Sequence, residues 1–108
     1  MKGQQYLRDT KEYSRVHQQG RVYRRRGLNL KVAENELDYA RWGLVVSKKV
    51  GSSVVRNRVK RMLREILRQT EIKPGWDIVI VARPHINNMD FDGIKNQVDA
   101  MLEEAGLI

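Results

Sequence analysis

Residues 54–69 read Val54-Val55-Arg56-Asn57-Arg58-Val59-Lys60-Arg61-Met62-Leu63-Arg64-Glu65-Ile66-Leu67-Arg68-Gln69, and one spacing runs through them. Val55, Val59, Met62, Leu63, Ile66 and Leu67 recur at i, i+4, i+7, i+8, i+11 and i+12, the apolar stripe of an amphipathic helix. Arg56, Asn57, Lys60, Arg61, Arg64 and Arg68 cover the opposite face. Gly51 breaks the segment before it, and Ser52 or Ser53 can cap its first turn by accepting from a free backbone N–H. A stripe of this width needs a core to lie on, so the flanking segments supply the rest of the fold.

Upstream, Trp42–Ser47 contains Leu44-Val45-Val46 and reads as a strand. Downstream, Pro74-Gly75 closes the connection and Asp77 leads into Ile78-Val79-Ile80-Val81-Ala82. That unbroken, largely β-branched run is expected of a central strand covered on both faces. Leu28-Asn29-Leu30-Lys31-Val32 alternates apolar and polar, as a half-exposed strand does. The acidic turn Glu34–Asp38 joins it to Trp42–Ser47, which predicts an antiparallel hairpin of those two strands. One further short strand is expected near Val22-Tyr23.

The ends of the chain read as helices. Asp9 or Thr10 can cap a helix to Gln19 that Gly20 ends, with Tyr13, Val16 and His17 on one side. After a loop at Pro84–Asn88, Phe91, Ile94, Val98, Met101, Leu102 and Ala105 form a last amphipathic helix that stops at Gly106. The order αβββαβα predicts an α+β fold, a two-layer sandwich of helices over a small central sheet. A length of 108 residues fits a single domain, residues 1–108.

Charge is segregated along the chain. Lys and Arg number 21 against 13 Asp and Glu, for a net charge of +8. Composition alone leaves nucleic acid and an anionic membrane surface open as partners. Between Ser47 and Arg68 eight bases, Lys48 and Lys49 among them, face one acid, Glu65, whereas Ile86–Ile108 holds one base and five acids. A helix built for stability alone would mix Glu with Lys, because like charges at i,i+4 repel. Its apolar stripe lacks aromatics and is needed for the core, which argues against a membrane-surface helix. Five of the helix's six bases are arginines, whose guanidinium forks engage phosphate oxygens bidentately and stack on bases. Nucleic acid is therefore the expected partner, with folded RNA, recognised through backbone and shape, ahead of DNA.

Several chemistries are excluded or left without residues. There is no cysteine, and the only histidines are His17 and His85, so thiol catalysis and Cys-ligated zinc are out. Clustered carboxylates, which a metal-dependent nuclease uses, are missing from the basic segment. No catalytic residue and no protein metal site are expected. Met1–Gly20 is polar and lacks the apolar core of a signal peptide, and no window is apolar enough for a membrane span. A cytoplasmic location is expected.

The block Arg56-Asn57-Arg58-Val59-Lys60-Arg61-Met62-Leu63-Arg64-Glu65 resembles the RNR signature of the bacterial ribonuclease P protein family. Gly43-Leu44-Val45-Val46-Ser47-Lys48-Lys49-Val50-Gly51 is similar to the family's preceding strand, and Asp77–Arg83 to its last strand. The resemblance covers nearly the whole chain. It implies a left-handed βαβ crossover, against the usual rule, and the fold type of the second domain of a small-subunit ribosomal protein. It implies a protein subunit that partners a catalytic RNA and promotes removal of the 5′ leader from precursor tRNA. Magnesium ions would be bound mainly by that RNA and the substrate, and no obligate protein partner is inferred.

The resemblance also divides the residues by role. Arg56, Asn57, Arg58, Lys60, Arg61, Arg64 and Arg68, with Lys48 and Lys49, would meet the RNA. Tyr13 and His17 on the first helix, with Leu28, Leu30 or Lys31 on the strand, would line a cleft for the single-stranded leader. The family often carries two aromatic residues on that helix face; this chain has Tyr13 and then His17. Two other readings compete: a general RNA-binding protein with no link to processing, and a nuclease that needs no RNA.

Overall fold

The structure, a computed structural model, describes residues 5–108; residues 1–4, the start of the stretch read for a signal peptide, lie outside the described residues. Its elements are β1 (Gln5–Tyr6), α1 (Thr10–Gln19), β2 (Arg21–Arg24), β3 (Leu28–Glu34), β4 (Arg41–Val46), α2 (Ser53–Gln69), β5 (Trp76–Ala82) and α3 (Phe91–Glu104). Short 3-10 turns occupy Lys48–Val50 and Pro84–Asn88, the second in place of the expected loop. Ser52 caps α2, its hydroxyl accepting from the N–H of Val55.

The sheet runs β1-β4-β5-β3-β2. The β-branched run of β5 takes the centre, parallel to β4 and antiparallel to β3. The expected hairpin of β3 with β4 does not form, because β5 lies between them. The hairpin partner of β3 is β2, reached through only Arg25, Arg26 and Gly27. A strand that is apolar on both sides loses most by standing at an edge, so β5 separates two strands that chain proximity would have paired. β1 was not anticipated: two residues are too few to show a period, and they pair with Arg41 and Trp42 at the sheet edge.

Each face of the sheet has its own core. Leu28, Leu30, Val32, Ile78 and Ile80 face α2 and α3, packing with Val59, Leu63, Ile66, Leu67, Ile94, Val98, Met101 and Leu102. On the other face Ala33 and Val79 pack with Val16 of α1 and with Leu7. The α+β fold is as expected, with α2 and α3 forming one layer over the sheet. Because α1 lies on the far side, it adds a partial third layer to the two expected. The reason is the same continuous run: Ile78 and Val79 both have zero exposure, one on each face.

Three local devices seat α1. Asp9 and Glu12 form a reciprocal capping box, Glu12 Oε1 accepting from the N–H groups of Arg8 and Asp9 at 2.9 and 3.0 Å. At the other end Gly20 lets the chain press against β3, since a Cβ there would lie 2.8 Å from the Val32 carbonyl oxygen. Between them stands Asp77, fully buried at the start of β5. Arg41 grips it through Nε at 2.8 Å and Nη2 at 2.7 Å, and Asn35 Nδ2 donates to it at 2.8 Å. Arg15 of α1 donates to the same carboxylate and, at 2.7 Å, to the Glu34 carbonyl, while Glu12 pairs with Arg41. The helix is thus tied to the sheet through a two-arginine clamp on one buried carboxylate. The hydrogen bond to Asp77 holds the Arg41 pKa above its usual value.

Candidate nucleic-acid interface

The apolar stripe of α2 fixes where its bases point. With Val59, Leu63, Ile66 and Leu67 at zero exposure against the sheet, Asn57, Arg58, Arg61, Arg64 and Arg68 are exposed and Arg56 and Lys60 half-buried. Lys48 and Lys49 are exposed in the turn that leads into the helix. The ion pairs among the described residues join Arg15 and Arg41 to Asp77, Arg41 to Glu12, Arg25 to Glu104 and Lys95 to Asp99. None involves the eight bases between Lys48 and Arg68. Two of these bases meet neutral groups instead: Arg56 donates to Ser53 Oγ at 3.2 Å and Arg68 to Tyr6 Oη at 3.3 Å. Glu65 is the one acid on this helix and accepts from Gln69 rather than pairing with a base. A cationic face with no ion pair keeps most of its potential for an outside polyanion.

The second candidate surface follows from register, since directly paired residues share a face. Asn29, Val81 and Val45 form one row across β3, β5 and β4; Lys31, Val79 and Gly43 form the next; Ala33, Asp77 and Arg41 the third. Val16 of α1 covers Ala33 and Val79. The Tyr13 ring lies on Gly43, where a Cβ would fall 2.6 Å from Cζ. His17 Nδ1 is 2.8 Å from Lys31 Nζ. The row Asn29, Val81 and Val45 is left only half-buried. It continues the face that carries Lys31 and Gly43, beside Tyr13 and His17 of α1.

Tyr13, His17 and Lys31 therefore meet on one face, as expected, and Leu28 and Leu30 do not join them. Those two leucines are 0% and 1% exposed in the core beneath α2 and α3. Strand alternation requires it: residues 28 and 30 must face away from residue 31. The same alternation, counted outward from Lys31, would have found Asn29. Cross-strand pairing adds Val81 and Val45, which no sequence signal marks, and puts Arg24 of β2 opposite Asn29 at the end of that row. Arg83 follows β5 at the same end, its N–H donating to the Gly27 carbonyl at 2.9 Å. A groove of about 450 Å³ runs between the two surfaces, with Arg8, Tyr13, Gly43, Leu44, Lys60 and Arg64 among its lining.

Among the described residues no group of three or more His, Asp or Glu side chains could hold a metal ion. Asp77 and Glu12 are already committed to arginines. No described helix is long and apolar enough to cross a membrane.

The Ribonuclease P family model matches residues 1–106. The chain belongs to the ribonuclease P protein family. A ribonuclease P protein component from Dehalococcoides mccartyi is 41% identical over 108 residues, spanning 100% of this chain and 90% of its own. Another, from Syntrophomonas wolfei, is 40% identical over 103 residues, or 94% of this chain and 87% of its own. The fold agrees with solved structures of the family. The Staphylococcus aureus RNase P protein superposes with a TM-score of 0.85 at 28% identity, covering 94% of this chain and 95% of that one. The Thermotoga maritima RNase P protein gives 0.83 at 28% identity, covering 92% and 96%. As a ribonuclease P protein it is the protein subunit of an RNA-based endoribonuclease that processes tRNA 5′ ends.

Proposed function

We propose that the chain, acting as one RNA-binding domain over residues 1–108, holds the catalytic RNA with one surface and the precursor tRNA leader with the other. The RNA subunit is bound by Arg56, Asn57, Arg58, Lys60, Arg61, Arg64 and Arg68 on α2, with Lys48 and Lys49. The absence of any ion pair on this face, among the described residues, is the observation that carries the reading. Each phosphate it neutralises releases counterions, which supplies affinity without reading sequence.

The single-stranded leader lies in the cleft, over Asn29, Val81 and Val45 and against Tyr13, His17 and Lys31. Tyr13 offers the stacking surface; base–aromatic stacking contributes about 1–3 kcal/mol per base. Arg24 and Arg83, at the end of the floor, are placed to screen leader phosphates. The RNA subunit and the magnesium it holds with the substrate supply the hydrolytic chemistry, in the cytoplasm. The protein supplies affinity and placement.

The test is magnesium-dependent cleavage of precursor tRNA by this protein alone, a bacterial ribonuclease P RNA alone, and both together, with binding compared for leader-bearing and leaderless substrates. Strong cleavage at physiological salt only in the mixture, with protein-dependent affinity confined to the leader-bearing substrate, is expected. Equal stimulation of both substrates would remove the leader from the cleft. Cleavage by the protein alone would move the chemistry off the RNA.

A further inference from the structure

The histidine on the cleft wall is not a free ring. Its Nδ1 lies 2.8 Å from the Lys31 ammonium. A lysine ammonium has three N–H donors and no acceptor, so Nδ1 must accept and His17 must be neutral, with its proton on Nε2. Loss of some of the ring's hydration beside its neighbours first, and the Lys31 charge second, lower the His17 pKa, which favours the same neutral form. His17 is exposed, and no described group partners Nε2. The outward atom is therefore a fixed hydrogen-bond donor, one helical turn from the Tyr13 ring.

We propose that His17, its tautomer set by Lys31, donates a hydrogen bond from Nε2 to an acceptor on the leader, either a base carbonyl or a phosphate oxygen, so that it selects by polarity where Tyr13 selects by stacking. The inference rests on the leader-cleft reading above. Lys31 acts as a positioning residue: with one N–H spent on Nδ1, it keeps the ring proton on Nε2. A phenylalanine at residue 17 would stack and could not discriminate an acceptor from an apolar isostere.

The experiment uses the holoenzyme, assembled with a bacterial ribonuclease P RNA, and a precursor tRNA whose leader is all uridine. Each leader uridine is replaced in turn by its difluorotoluene isostere, which keeps shape and loses the carbonyl acceptors, or given a methylphosphonate linkage. One such replacement should weaken binding about 2- to 10-fold, as loss of one net hydrogen bond does. The same replacement should cost the His17→Phe holoenzyme nothing further. An isostere effect assigns the acceptor to a base and a methylphosphonate effect to the backbone. Independently, nitrogen NMR of the free protein near neutral pH should show an unprotonated Nδ1 in His17, and a mixture of tautomers in Lys31→Met.

A protonated Nδ1 in the native protein overturns the proposal, as does a leader with no position coupled to His17. If Tyr13→Ala still lowers leader-dependent affinity in that second case, the cleft stands and only the donor role falls. If Tyr13→Ala is also silent, both fall.

Discussion

Replacing Asp77 by asparagine keeps the shape of the side chain and removes the charge on which two arginines close. In the native protein this carboxylate has zero exposure and accepts from Arg15, from Arg41 twice and from Asn35. The substituted amide could accept through one oxygen only, and its nitrogen would point donors at a guanidinium. Breaking a buried pair by removing one partner costs about 3–5 kcal/mol, because the surviving charge stays desolvated. Arg41 and Arg15 are 16% and 29% exposed, and Glu12 remains beside Arg41, so the lower end, about 3 kcal/mol, is expected. For a chain of this size that is a large share of a total stability of about 5–15 kcal/mol. Urea denaturation of Asp77→Asn, followed by circular dichroism, should show a lower midpoint at unchanged slope. A loss under about 1 kcal/mol would mean that apolar packing of Val16, not the clamp, seats α1, and would refute the ion-pair argument. Where the variant remains folded, affinity for leader-bearing precursor tRNA should fall more than affinity for the RNA subunit, because α1 carries the cleft wall and α2 does not.

Other perturbations separate the two surfaces. Arg58→Ala and Arg61→Ala, both exposed and outside any ion pair, should each lower the slope of log affinity against log salt for the RNA subunit by about one, while stability changes by less than about 0.5 kcal/mol. Unchanged slopes in filter-binding titrations would take the helix out of the interface. Gly43→Ala puts a methyl into the Tyr13 ring and should displace it, weakening binding of leader-bearing precursor by at least about 5-fold, the low end of one stacked base, with RNA-subunit affinity intact, a split that parallel titrations of the two ligands would read. The N–H of Arg8, foremost, and Arg41 hold the Glu12 carboxyl below its ordinary value of 4.5. Its stabilisation is therefore complete above pH 4.5 and is lost as pH falls through the lower folded value, so Glu12→Gln should be less stable near neutrality and show a shallower loss in acid. Urea midpoints between about pH 3 and 6 test this, and parallel curves for the two proteins would contradict it.

Composition and period determined a good deal by themselves. The stripe from Val55 to Leu67 fixes α2 and its basic face together, because a helix that buries one side must present the other. The β-branched run of β5 fixes a central strand, and its two apolar faces already required cover on both sides of the sheet. The caps at Asp9 and Ser52 are local chemistry and were legible as such. Pairing was not. Nothing in Glu34–Asp38 says that the strands it joins are kept apart by a segment that follows much later in the chain, since strand order is settled by which strand gains most from the interior. For the same reason the cleft was half legible. Tyr13 and His17 share a helix face by local geometry, and alternation alone separates Lys31 from Leu28 and Leu30. Val45, Val81 and Arg24 enter only through cross-strand register. Asp77 reads in sequence as one acid before an apolar run; its role exists only once Arg15, Asn35 and Arg41, from three distant segments, converge on a carboxylate that cannot be buried alone.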